Sequence, residues 1–179
     1  MALPNETLET FLRHAGASGR LMGLDVGGKT IGLALSDTRR TVATPMQTLR
    51  RGKFMQDAAT LHALIAEHEV RGLVIGLPLM GDGIEGKNCQ SIRQFGRNMQ
   101  KYCGEKPSPC PLPHMREGSP LIPILFWDER FSTSMVQQVL HEAEMSHRKR
   151  AEVVDKMAAG YILQGVLDRI RGAAPHPEM

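Results

Sequence analysis

Two hydrophobic periods organise this chain. Leu21-Met22-Gly23-Leu24-Asp25-Val26 is apolar at every position but Asp25, the pattern of a buried central strand. Thr30 to Ser36 repeats it, and Gly27-Gly28 in between is expected to supply the positive φ angles of a tight hairpin turn. A third strand, Thr41 to Leu49, follows the polar turn Asp37-Thr38-Arg39-Arg40 and completes an antiparallel meander. The period then lengthens. Asp57 to His68 sets Leu61, Leu64 and Ile65 on one helical face. Val70 to Leu79 is again continuously apolar, so this helix and strand make a crossover onto the sheet. Lys87 to Tyr102 reads as a helix with Arg93, Arg97 and Lys101 on its solvated side. Leu121 to Trp127 is a fifth strand, followed by a helix from about Ser132 and a last helix from about Ala151 to Arg171. This order predicts an α/β fold, a mixed five-stranded sheet flanked by helices.

The ends and one internal stretch differ in kind. Residues 1–20 predict a short amphipathic extension helix outside the core, with Asn5 as its cap and Leu8, Phe11 and Leu12 at helical spacing. In residues 103–120, Pro107, Pro109, Pro111, Pro113 and Pro120 can neither pair in a sheet nor continue a helix. They mark a proline-rich insertion. The expected organisation is one domain over 21–171, interrupted by that insertion and followed by a flexible tail at 172–179.

Composition narrows the class. Aromatic residues make up only 4%, so aliphatic side chains and the 11 methionines must fill the core. A net charge of +3 is compatible with nucleic acid without requiring it. An odd number of cysteines, three, argues for a reducing compartment rather than a disulfide framework. No apolar run approaches the ~20 residues of a membrane span, and the first residues lack a signal-peptide pattern. A cytoplasmic protein is the expectation. Cys103, Cys110 and His114 match no common zinc spacing.

The chemistry rests on acids at strand ends, where open α/β sheets gather their ligands. Asp25 ends the first strand, and Asp128 and Glu129 follow the last. Asp155 lies on the last helix, on one face with Ala158, Ala159, Ile162 and Val166. The alanines allow that face to approach the sheet closely. Carboxylates packed together repel unless a cation intervenes, and Mg²⁺ prefers carboxylate oxygen and phosphate. Each acid also has a structural reading: Asp25 caps its own turn, Glu129 pairs with Arg130 or a neighbouring helix, and Asp155 is favoured by the helix dipole or pairs with Lys149 or Arg150. Asp128 is expected to be structural, because neighbouring strand residues point opposite ways, and Asp37 and Asp82 read as turn residues. Lys29, after Gly27-Gly28, and Arg130 are candidates for phosphate contacts.

Four stretches, GLDVGGKTIGLALSD, GLPLMGDGIEG, WDERFST and VDKMAAGYIL, resemble in this order the motifs of the YqgF/RuvX family. The resemblance covers residues 20–102 and 121–170. It implies a ribonuclease-H-like fold. It also implies a nuclease maturing the 5′ end of pre-16S ribosomal RNA, a family described earlier as Holliday-junction resolvases. The family's acidic positions fall on Asp25, Glu129 and Asp155, implied as catalytic residues and as ligands of Mg²⁺ or Mn²⁺. Gly27, Lys29 and Arg130 are the expected substrate contacts. Expected partners are pre-16S rRNA and ribosomal precursor particles, with branched DNA as the alternative, and no membrane; a monomer or weak homodimer is expected. Gly28 stands where the family has Thr, and Met80-Gly81 where it has Asn-Met. Three rivals remain: a dimeric DNA junction resolvase, a non-catalytic RNA-binding assembly factor, and an actin-like ATPase. The last needs two lobes, and this chain has length for one.

Overall fold

A computed structural model describes residues 7–79, 86–105, 122–128 and 147–173. Five strands form one sheet: β1 (Leu21–Val26), β2 (Thr30–Ser36), β3 (Ala43–Arg50), β4 (Gly72–Leu77) and β5 (Ile124–Asp128). Their order is β3-β2-β1-β4-β5. β1, β2 and β3 run antiparallel, while β4 and β5 extend the sheet in parallel from β1. This is the ribonuclease-H-like arrangement expected from the motifs. Pro45 sits in β3, an edge strand, where a missing N–H does least harm to the ladder.

Four helices are described: α1 (Leu8–Ala15), α2 (Phe54–Glu67), α3 (Lys87–Glu105) and α4 (His147–Ala173). Strand alternation sorts the core into two layers. Met22, Leu24, Ile31, Leu33, Leu73 and Ile75 face α2 and α3, where Leu61, Ile92, Phe95 and Met99 meet them. Leu21, Ala34, Val74 and Leu125 face the other way, onto Phe11 of α1 and Ile162, Leu163 and Val166 of α4.

Several expectations change. The N-terminal helix belongs to the core rather than outside it. Phe11 and Ala15 are fully buried. Gly72 gives Phe11 its space, since a Cβ there would lie 2.7 Å from the ring. Thr7, not Asn5, caps α1, accepting the Thr10 N–H at 3.3 Å. Arg40 ties down the other end. Its buried guanidinium donates to the carbonyls of Ala15, Gly16, Ser18 and Gly19 at 2.8–3.0 Å. Burial, and then the neighbouring Arg71 charge, push Arg40 down to about 10, so it stays cationic at neutral pH. Neither Gly27 nor Gly28 adopts positive φ; the turn closes instead through Gly27 N–H to the Thr30 carbonyl at 2.9 Å. Arg93 is half-buried rather than solvated, with its guanidinium 4.9 Å from the Phe126 ring centroid. Residues 103–105 continue α3, and the basic run 147–150 lies within α4 rather than in a connection. The rest of the proline-rich stretch, the helix expected from Ser132 and residues 174–179 lie outside the described residues.

Candidate active site

The site begins with an acid in an apolar strand. Asp25 sits one residue from the end of β1, with the parity of Leu21 and Gly23, which face α4. Its partner across the β1–β2 ladder is Gly32. A Cβ on Gly32 would collide with the carbonyl of Asp155, so the α4 backbone rests directly on the strand at that point. A second close approach lies two residues down the same strand as Asp25: a Cβ on Gly23 would stand 2.8 Å from the Ala159 carbonyl. The strand glycines, as much as the helix alanines, therefore seat α4. The far end of α4 is held by Gln164, which accepts the Ala43 N–H at 2.9 Å, and by Arg171, which donates to the Thr41 carbonyl at 3.0 Å.

This seating brings Asp155 beside Asp25. Burial, and then the Asp155 charge, push the Asp25 carboxyl from 3.8 up to about 6. Burial disfavours its charge, and the neighbour adds a like charge. A cation at this point would relieve both. Two carboxylates supply only oxygen donors, which suits a hard divalent ion such as Mg²⁺ or Mn²⁺. Glu129 and Arg130 lie outside the described residues. Among the described residues, no group of three His, Cys, Asp or Glu side chains is gathered for a metal. Asp128 has the parity of Ile124 and Phe126, which face α2 and α3, the opposite side of the sheet from Asp25. Asp37 is a turn residue: its carboxylate accepts the Val42 N–H at 2.9 Å and the Thr41 N–H at 2.6 Å. These bonds, Val42's first, pull it down to about 2.

A groove of about 320 Å³ opens beside Asp25, lined also by Gly27, Gly28, Arg51, Asn88 and Ser91. Gly28 is exposed, with nothing within 4 Å of a Cβ placed on it. Lys29 is exposed on the same turn. Arg51, Asn88 and Ser91 were not among the residues expected from the motifs. The available signal was position: Arg51 directly follows the third strand, and Asn88 and Ser91 open the helix after the glycine-rich loop. Cys89 is not a metal ligand in waiting, since its buried thiol donates to the Pro78 carbonyl at 3.2 Å.

Comparison with known proteins supplies the lineage. The family model described as "RuvX: Holliday junction resolvase" matches residues 19–169. The chain belongs to the RuvX family. Two curated relatives carry the name "Putative pre-16S rRNA nuclease". The one from Paramagnetospirillum magneticum is 52% identical over 87% of this chain and 89% of its own length. The one from Cereibacter sphaeroides (strain ATCC 17025) is 48% identical over 93% of each. A solved T. thermophilus RuvC in complex with a Holliday junction substrate matches with a TM-score of 0.47 at 9% identity, covering 87% of this chain and 98% of that one. RuvX membership makes the chain a hydrolase of the endonuclease class acting on nucleic acid. No helix among the described residues is long and apolar enough to cross a membrane.

Proposed function

We propose that this RuvX protein is a metal-dependent nuclease that processes the 5′ end of pre-16S ribosomal RNA in the cytoplasm, on ribosomal precursor particles. The observation that carries this reading is the seating of Asp155 against Asp25, two acids from distant parts of the chain sharing a half-buried site. Asp25 and Asp155, joined by Glu129, would hold Mg²⁺ or Mn²⁺. When bound, the ion supplies positive charge and Lewis acidity to a scissile phosphodiester.

The chain's own residues do the rest. Asp25 and Asp155 fix the site on a strand and a helix, elements too rigid to drift with the substrate. Burial by α4 limits water beside Asp25 and strengthens every charge interaction there. Gly27 and exposed Gly28 leave room for a backbone to pass over the turn, and Lys29 and Arg130 would offer it positive charge. The names of the curated relatives support pre-16S rRNA as the substrate.

The test is cleavage of a precursor 16S transcript in Mg²⁺ or Mn²⁺ by the wild type and Asp25→Asn. The wild type should release the mature 5′ end, and the variant should lose at least ~100-fold in rate. Equal rates would remove the assignment. The family description motivates a second arm with a four-way DNA junction. Faster cleavage of the junction than of the transcript would transfer the reading to DNA. Metal-free RNA binding with no cleavage of either substrate would leave an assembly factor.

A further inference from the structure

The groove beside Asp25 is lined on its far side by Arg51 and by Asn88 and Ser91 of α3. Arg51 leaves β3 and turns back across the β1–β2 hairpin. Its backbone N–H donates to the Lys29 carbonyl at 2.9 Å, and its Nη1 donates to the Gly27 carbonyl at 2.8 Å. Its guanidinium also stands 5.6 Å from the Phe95 ring centroid. The next residue is fixed as well, because the Gly52 N–H donates to Oδ1 of buried Asp57 at 2.9 Å. The arginine is thus held in place before any ligand arrives.

A guanidinium has five N–H donors in a fixed fork. The Gly27 carbonyl takes one of Arg51's. Among the described residues no carboxylate forms an ion pair with Arg51, although Asp25 lines the same groove. An arginine serving only to neutralise Asp25 would sit on that carboxylate. Arg51 is instead braced by a carbonyl and a ring, with donors left for an anion. Asn88 and Ser91, exposed and three residues apart near the start of α3, line the same side. The groove therefore has Asp25 at its edge and presents a guanidinium, an amide and a hydroxyl along its α3 side. A nucleic-acid strand offers the matching pair, with one phosphate at the cation site and another along the chain.

We propose that Arg51, with Asn88 and Ser91, forms a subsite for a backbone phosphate of the nucleic-acid strand, beside the carboxylate pair. This rests on the nuclease reading above. Arg51 grips the phosphate oxygens directly, and its brace on Gly27 couples that grip to the turn next to Asp25.

The probe is a short fluorescein-labelled single-stranded RNA, titrated in EDTA so that nothing is cleaved, over a range of salt concentrations. One lost phosphate contact lowers the slope of log affinity against log salt by about 0.7 for single strands. Arg51→Met should show that loss and bind about three- to tenfold more weakly at low salt. Arg51→Lys should keep the slope, because it keeps the charge. With a cleavable transcript, KM should rise in Arg51→Met by the factor lost in binding, with a smaller change in kcat. Should Arg51→Met fail to fold, the Asn88→Ala/Ser91→Ala double variant carries the test. Both side chains are exposed, and its KM should rise while its melting temperature stays. A folded Arg51→Met with wild-type slope and KM overturns the subsite, as does a double variant with wild-type KM or a wild type that does not bind the RNA. If no protein cleaves but the slope still falls in Arg51→Met, the subsite stands and only the nuclease reading is lost.

Discussion

Asp25→Asn should make the metal-free protein more stable at neutral pH while removing its activity. The folded state holds Asp25 near 6 against 3.8 for the free side chain, a shift of about 2 units and so about 3 kcal/mol at most. Below pH 3.8 the carboxyl is protonated in the folded and the unfolded chain, and its contribution to stability is fully present. Between 3.8 and about 6 the unfolded chain has released the proton and the folded chain has kept it. Across that window the free energy of unfolding falls by about 1.4 kcal/mol per pH unit from this group. Above pH 6 the loss is complete, because a charged Asp25 then sits in a desolvated site next to Asp155. Asparagine keeps the shape and never charges. Its amide must still find hydrogen bonds, so the net gain is about 1–2 kcal/mol at pH 7.5, or about 4 °C in Tm for a chain of this size. The measurement is urea and thermal unfolding of both proteins in EDTA at pH 4.5 and 7.5. The variant's advantage should be large at pH 7.5 and small at pH 4.5. Adding Mg²⁺ or Mn²⁺ should raise the Tm of the wild type and close the gap. A variant no more stable than the wild type at pH 7.5, or an advantage equal at both pH values, would refute the charge argument.

Other substitutions probe the same construction. Asp155→Asn should lower the Asp25 pKa, read by carboxyl-carbon NMR, yet leave it above 3.8, because burial is the larger cause of the shift. Gly32→Ala drives a methyl into the Asp155 carbonyl and should destabilise the fold by about 3 kcal/mol or more, measured by urea unfolding. Phe11→Ala should cost about 3–5 kcal/mol in the same assay, a loss that a helix lying outside the core could not produce. Arg40→Met leaves four carbonyls at the end of α1 without their donor and should cost about 3 kcal/mol; the first amides to lose hydrogen-exchange protection should be those of residues 11–19.

The fold was legible where one period dominates a segment. The meander, the α2 crossover and β4 follow from hydrophobic pattern alone, because burial on one face or two leaves a direct trace in residue type. The approach of Asp155 to Asp25 was also legible, from small residues on the helix face. What escaped was contact whose cause lies in the partner element. Gly32 looks like an ordinary strand residue until a helix backbone rests on it. Arg51 looks like one more surface cation until its guanidinium meets Gly27 and Phe95. Gly27-Gly28 misled in the opposite direction. Glycines in a turn suggest left-handed backbone, yet here neither uses it, and Gly28 borders an open groove instead. Phe11 looks like amphipathic packing of an appendage because nothing in its own segment reveals Gly72, which makes its space.

A pair of acids that repel would ordinarily push their elements apart, so something else must fix α4. Ile162, Leu163, Val166 and Leu167 are all buried against the sheet. At about 1.5–3 kcal/mol each, they contribute about 6–12 kcal/mol. The penalty carried by Asp25 is at most about 3 kcal/mol by the same order of reckoning. Burial wins, and it acts about two to three turns of helix away from the charges. The polar clasp of Gln164 and Arg171 on the start of β3 fixes the far end. With the helix anchored there, Asp155 has no freedom to retreat from Asp25, because Gly32 lets the backbone settle onto β2 at that residue. Among the described residues no cation offsets that charge, so relief is expected either as a proton below about pH 6 or as a bound cation above it.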